Sequence, residues 1–150
     1  MWPYANSDEA LNDVLRLSKG MTYKAAMANL NQGGGKAVII GDPRVHKTPE
    51  MMLAMGRFVE SLSGKYISAE DSGMSVADLR TMAQETTYIS GTKANYHFAG
   101  EEADGNPAPS TAYGVFTGVK ASVEHYFGTG LQGKKVAIQG LGHVGYRLAE

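Results

Sequence analysis

The chain has 150 residues, 43 % of them hydrophobic and 19 % charged, and its 14 basic and 15 acidic side chains leave a net charge of −1. That length is in the usual range of one domain, and that balance argues against a nucleic-acid coat or a polybasic membrane binder. Cysteine is absent, which excludes disulfides, thiolate chemistry and cysteine–zinc sites. No apolar run approaches the ~20 residues of a membrane span. Met1-Trp2-Pro3-Tyr4 has neither the charged nor the apolar region of a signal peptide, so a soluble cytoplasmic protein is expected. The 19 glycines are nearly twice the usual share of ~7 %, and they are clustered.

In chain order, residues 7–30 read as helical, with Ser7 as cap and Ala10, Leu11, Val14, Leu15 and Leu17 on an apolar face. Gly20 is expected to interrupt the run, and a second helix to carry Tyr23 to Leu30. Residues 36–40 are a short β-branched run ended by Gly41-Asp42-Pro43, the pattern of a buried strand entering a turn. Residues 48–63 form a helix capped by Thr48, with Pro49 at its first position. A strand over 65–69, a helix over 75–86 and a third strand over 88–90 follow. Gly91 to Pro109 is a loop rich in Gly, Pro, Asn and Glu, and 110–127 is helical. Residues 131–134 turn into a strand over 135–139, and Gly140 opens a glycine turn into a last helix cut off at Glu150. Helices alternating with short buried strands predict an α/β fold with a mostly parallel sheet. A complete βαβ unit takes about 30 residues, so the last unit is incomplete and the chain reads as a fragment.

Gly140-Leu141-Gly142-His143-Val144-Gly145 is a G-x-G-x-x-G placed between a predicted strand and a predicted helix, the context that gives the motif meaning. The first glycine permits the tight turn, the second lets backbone approach a pyrophosphate, and the third lets helix and strand pack closely. The alternative is a tight strand–helix turn with no ligand. The acidic residue expected ~20 positions on falls beyond residue 150, so that test does not separate NAD from NADP.

Gly33-Gly34-Gly35-Lys36 is not a nucleotide P-loop: Leu30 stands where the first glycine is required, and Ala37 follows the lysine in place of Ser or Thr. A lysine leading into a buried strand is suited to acid–base or carbonyl chemistry if burial lowers its pKa; the alternative is a lysine that snorkels to solvent. Asp71 ends a predicted strand, where ligands gather in α/β sheets, or it lies in the N-cap region of the next helix. His46, His97, His125 and His143 show no metal-ligand spacing. His143 either approaches a cofactor at the glycine turn or points to solvent. No nucleophile–base pairing is visible locally.

Met21-Thr22-Tyr23-Lys24, Gly33 to Lys36 with Val38-Ile39-Ile40-Gly41-Asp42-Pro43, Ala69-Glu70-Asp71-Ser72-Gly73, Pro109-Ser110-Thr111-Ala112-Tyr113-Gly114-Val115 and Gln139 to Gly145 come in that order. Together they closely resemble the glutamate/leucine/phenylalanine/valine dehydrogenase superfamily, and its leucine, valine and phenylalanine branch more than its glutamate branch. The likeness covers nearly the whole chain. It implies NAD-dependent, reversible oxidative deamination of an L-amino acid to a 2-oxo acid and ammonia, in a cleft between a substrate domain and a dinucleotide-binding domain. By this resemblance residues 1–130 are the substrate-binding and dimerisation domain, lacking its N-terminal part. Residues 131–150 begin a truncated Rossmann domain.

The resemblance also implies roles. Lys24 holds the substrate α-carboxylate. Lys36 polarises the carbonyl and activates water, and Asp71 shuttles protons with the amino group. Thr111 lies near the nicotinamide, Gly140, Gly142 and Gly145 form the pyrophosphate turn, and Ser90 is a polar residue near the substrate. Leucine-type members tend to carry alanine at the position of Ala69 and phenylalanine-type members glycine, which favours a branched-chain aliphatic substrate such as leucine or valine. A methyl group's worth of space decides only about 1–3 kcal/mol. A homo-oligomer is expected, with no metal, nucleic acid or membrane partner. The 91–104 loop, with Tyr96, His97, Phe98, Glu101 and Glu102, is longer than in typical members and is expected to alter the cleft edge or the oligomer contacts. Three alternatives remain: an aromatic, phenylalanine-type dehydrogenase; a fragment that binds or oligomerises without turnover; and an unrelated nucleotide-binding protein. The incomplete chain alone is expected to be inactive.

Overall fold

The computed structural model describes residues 1–92 and 105–150. The chain forms two compact units, Met1–Lys93 and Ala94–Glu150. Tyr96, His97, Phe98, Glu101 and Glu102 of the expected long loop lie outside the described residues.

The first unit opens with α1 (Ser7–Met27). Its N-cap is Asn6, not Ser7: the Asn6 side chain accepts from the Glu9 amide at 2.9 Å, and the Glu9 carboxylate accepts from the Ala5 amide at 2.7 Å. Gly20 does not interrupt the helix. A glycine costs only about 1 kcal/mol relative to alanine in a helix interior, less than it would take to break a continuous ladder. Nothing lies within 4 Å of the Cβ that Gly20 lacks. Gly20→Ala is therefore expected to raise stability by about 0.5–1 kcal/mol, read as a higher thermal unfolding midpoint; a lower midpoint would contradict the continuous helix. The expected apolar face is only partly used. Ala10 and Ala25 are buried, whereas Leu11 and Leu15 remain exposed.

Helix α2 (Pro49–Ser61) begins as its sequence predicts. Thr48 accepts from the Met51 amide at 3.2 Å, and proline at the first position forfeits no hydrogen bond. It packs on α3 (Val76–Met82), whose start is a capping box between Ser75 and Asp78. Met52 and Val59 of α2 meet Leu79 and Met82 of α3 in the core, with Ile39, Met55, Tyr66 and Ile89 against them. The helices approach closely at Gly56, where a Cβ would stand 2.5 Å from the Met82 carbonyl oxygen. Helix α3 ends earlier than the predicted residue 86. Beyond it Thr86 donates to the Glu60 carboxylate at 2.6 Å, a tertiary bond that draws the chain toward α2.

The expected sheet is present only as two isolated parallel bridges, Trp2 with Ile40 and Ser68 with Ile89. The extended runs 36–40, 65–69 and 88–90 thus pair at single residues, and the described residues form no longer ladder. Parallel pairs are slightly weaker per residue and depend on cover over both faces. Ile40 and Ile67 are 49 % and 60 % exposed, so that cover is incomplete.

The second unit contains α4 (Ala108–Phe127) and α5 (His143–Ala149), packed on one another. Gly128, at φ 66°, closes α4 in the left-handed conformation. Lys134 stands 4.4 Å from the centre of the Phe127 ring. Residues 135–139 do not form the predicted strand. A strand needs a partner for its amides, and no other strand exists among the described residues of this unit. Val136 is accordingly exposed.

Candidate functional site

The glycine run after α1 folds back along that helix. The Ser18 hydroxyl donates to the Gly34 carbonyl at 3.0 Å, and the Gly34 amide donates to the Thr22 hydroxyl at 3.1 Å. The approach requires glycine: a Cβ on Gly34 would overlap the Ser18 carbonyl oxygen and the Thr22 amide, both backbone of α1. The ring of Tyr66 covers Gly35 in the same way, at 2.9 Å from the Cβ position. Burial pushes the Tyr66 hydroxyl pKa up, against hydrogen bonds with Ser68 and the Ala37 backbone.

Lys36 follows directly. Its ammonium donates to the Asp71 carboxylate in an ion pair that spans 35 positions of sequence. Burial holds the Lys36 pKa below the usual lysine value, the charge of Lys24 adds to the effect, and Asp13 opposes it. Lys24, exposed in the last turn of α1, is therefore near enough to act on Lys36 through its charge. Asp13 is itself held by the Tyr4 hydroxyl at 2.6 Å, which pushes the Tyr4 pKa up to about 12.

Asp71 sits in a tied turn. Its side chain accepts from the Ser72 amide at 2.7 Å, and its carbonyl accepts from the Met74 amide at 2.9 Å. The turn is anchored by Lys47, which donates to the Gly73 carbonyl at 3.1 Å and to Asp78 at 2.7 Å. Burial alone would raise the Asp78 pKa; hydrogen bonds from Lys47 and Ser75 outweigh it and hold the carboxyl below its usual range. The cap of α3 is Ser75, so the helix-capping alternative for Asp71 does not hold.

The structure thus pairs Lys36 with Asp71 and leaves Lys36 within the influence of the Lys24 charge. Ala69 lies exposed two residues before Asp71. Ser90 is joined to this region through its backbone, donating to the Ser68 carbonyl at 2.8 Å. Sequence reading missed Ser18, Thr22, Tyr66, Lys47 and Asp78. Hydroxyls at i and i+4 of one helix, and the Ser-x-x-Asp pattern at 75–78, were the available signals.

The second unit carries Thr111 and the glycine turn. Thr111 is exposed in the first turn of α4, its hydroxyl bonded back to the Pro107 carbonyl at 2.9 Å. Gly140 has φ 89°, a conformation that disfavours any side chain. Gly142 caps α5 and has nothing within 4 Å of its Cβ position. A Cβ on Gly145 would overlap the Gly140 carbonyl oxygen and touch Ile138 at 3.5 Å. One glycine turns, one leaves an open approach and one permits close packing, so the three fit a dinucleotide pyrophosphate. His143 is exposed at the start of α5. Among the described residues no group of three or more His, Asp or Glu could hold a metal ion, and no helix is long and apolar enough to cross a membrane.

The model of the Glu/Leu/Phe/Val dehydrogenase dimerisation domain matches residues 1–88, more than half of the chain. The chain belongs to this dehydrogenase family. The matched segment holds Lys24, Lys36, Ala69 and Asp71; Ser90, Thr111 and the glycine turn lie beyond it. A leucine dehydrogenase of Geobacillus stearothermophilus is 52 % identical over 149 residues, 99 % of this chain and 39 % of the relative. A valine dehydrogenase of Streptomyces virginiae is 48 % identical over 150 residues, 99 % of this chain and 40 % of the relative. The crystal structure of L-tryptophan dehydrogenase from Nostoc punctiforme superposes with a TM-score of 0.65 at 48 % identity, over 98 % of this chain and 39 % of that one. The chain spans about two fifths of the length of these relatives.

Proposed function

We propose that this chain is part of an NAD-dependent dehydrogenase that converts an L-amino acid, NAD⁺ and water to a 2-oxo acid, ammonium, NADH and a proton, reversibly. The observation that carries the reading is the Lys36–Asp71 pair, in which a half-buried lysine of lowered pKa meets a carboxylate beside a second cation. Deamination needs a group that takes a proton near neutral pH and another that exchanges protons with the leaving amine. Lys36 supplies the first, polarising the carbonyl and activating water, and Asp71 the second. Lys24 supplies the cation for the α-carboxylate, and Ser90 a further polar contact to the substrate. When bound, the dinucleotide accepts the hydride. Gly140, Gly142 and Gly145 would hold its pyrophosphate and Thr111 its nicotinamide end.

Residues 1–130 then serve substrate binding and dimerisation, and residues 131–150 begin the Rossmann domain. The name of the matched domain supports a homo-oligomer. Ala69, beside Asp71, supports a branched-chain aliphatic substrate, as do the leucine and valine dehydrogenases among the relatives. The resemblance to a tryptophan dehydrogenase favours a second reading, an aromatic substrate. The full chain encoded by the gene decides between them. Reduced nicotinamide formation is followed with L-leucine, L-valine, L-isoleucine, L-phenylalanine, L-tryptophan and L-glutamate, each with NAD and NADP. Turnover of the aliphatic substrates with NAD is expected. Aromatic preference would replace the first substrate class by the second, and no turnover would overturn both.

A further inference from the structure

We propose that Ser18 and Thr22 are positioning residues, two hydroxyls one helical turn apart that grip the backbone of Gly34 at its amide and its carbonyl and so set the spacing of Lys24 and Lys36. The proposal rests on the dehydrogenase reading for its catalytic consequence, but its geometry stands alone.

Ser18 takes the Gly34 carbonyl and Thr22 the Gly34 amide, at 3.0 and 3.1 Å. Both polar groups of one peptide-linked residue are thereby satisfied by one helix. A threonine inside a helix ordinarily needs only its own i−4 carbonyl. Thr22 keeps that bond, to Ser18 at 3.3 Å, and accepts the Gly34 amide as well. The missing Cβ of Gly34 is the second, independent sign: the turn lies against the α1 backbone with no room for a methyl group. Lys24 leaves α1 two residues after Thr22, and Lys36 leaves the turn two residues after Gly34. The clamp is thus the short through-chain link between the two cations. Without it the run from Asn29 to Gly35 loses its side-chain ties to α1 and Lys36 is held only from the side of Asp71 and Tyr66, and a misplacement of about 1 Å can cost 10²-fold in rate.

The charged groups acting on Lys36 are Asp71 on the facing turn, Lys24 and Asp13 on α1, and the Met1 amino group. Loosening the clamp moves Lys36 away from Lys24 and toward water. The move also takes Lys36 from the carboxylates of Asp71 and Asp13, so the balance of charges around it changes and its titration shifts.

The test uses the full chain with Thr22→Val, which keeps the shape and removes the hydroxyl, and Thr22→Ser, which keeps the hydroxyl. Lys36 is titrated by NMR of ¹³C-dimethylated lysines, its signal assigned by its loss in Lys36→Ala, and kcat, KM and their pH profiles are measured in parallel. Thr22→Val is expected to lower kcat about tenfold to hundredfold, with a smaller change in the KM for the dinucleotide. Its Lys36 titration and the acid limb of kcat/KM should both move from their positions in the unsubstituted protein, and in the same direction. Thr22→Ser should recover kcat to within about threefold, as expected when the hydroxyl is what positions the turn. Ser18→Ala, which removes the other grip, replaces Thr22→Val should that variant fail to fold. An unmoved Lys36 titration in Thr22→Val, or equal impairment of the serine and valine variants, would overturn the clamp. If the unsubstituted protein oxidises no amino acid yet the titration still shifts in Thr22→Val, the clamp stands and the dehydrogenase reading falls.

Discussion

Lys36→Ala in the full chain should reduce kcat for amino-acid oxidation by about 10³-fold while leaving the thermal midpoint within a few degrees, since a positioned proton-transfer group contributes ~10²–10⁴ in rate. The stability half of the expectation comes from exposure. The Lys36 and Asp71 side chains are 19 % and 51 % accessible, and an ion pair open to water on one side is worth only about 0–1 kcal/mol. A lysine kept for structure would show the reverse, a lower midpoint with the rate retained. The pH dependence adds a sign. Burial and Lys24 both lower the Lys36 pKa, so the acid limb of kcat/KM should lie below the ordinary lysine range. Removing the Lys24 charge in Lys24→Met should move that limb to higher pH and raise the KM for the amino acid. A limb that stays in place would remove Lys24 from the electrostatics of the site.

Gly145→Val is expected to weaken dinucleotide binding by tenfold or more, about 1.4 kcal/mol or greater, and to destabilise the second unit by about 1–3 kcal/mol through overpacking. The new Cβ would overlap the Gly140 carbonyl oxygen, which is backbone and must shift to make room. Gly142→Ala separates the two effects. Nothing lies within 4 Å of that Cβ, so stability should hold while a methyl group blocks the approach of the pyrophosphate. Titration of NADH fluorescence together with thermal unfolding measures both quantities. If Gly142→Ala bound the dinucleotide as the parent does, the turn would not be the cofactor site.

The parts of the site that were legible were those whose signal is local. The start of α2 at Thr48-Pro49 and the glycine turn at 140 depend on residue types within one or two turns of chain, and the structure forms both. Lys36 stood out because a lysine is uncommon at the head of an apolar run. Asp71 stood out on its own, at the end of a predicted strand, but nothing near Lys36 in sequence pairs the two across 35 residues. Ser18 and Thr22 were passed over for a similar reason. A hydroxyl on a helix ordinarily bonds its own backbone, and only the returning glycine run gives these two a second role.

By itself, then, the sequence determined the family and the approximate positions of the helices, because helix caps, glycine turns and ordered motifs act over short spans of chain. It misplaced the cap of α1 and the break at Gly20, where the cost of one glycine is small against a helix of 21 residues. The tertiary structure decided the rest. It paired Lys36 with Asp71, brought Lys24 and Asp13 to bear on the same ammonium, and seated Gly34 on α1. It also reduced three of the four predicted strands to two single-residue bridges and left the fourth, 135–139, unformed. Ladders and ion pairs form between segments distant in sequence, and their strength depends on which neighbours exclude water from them.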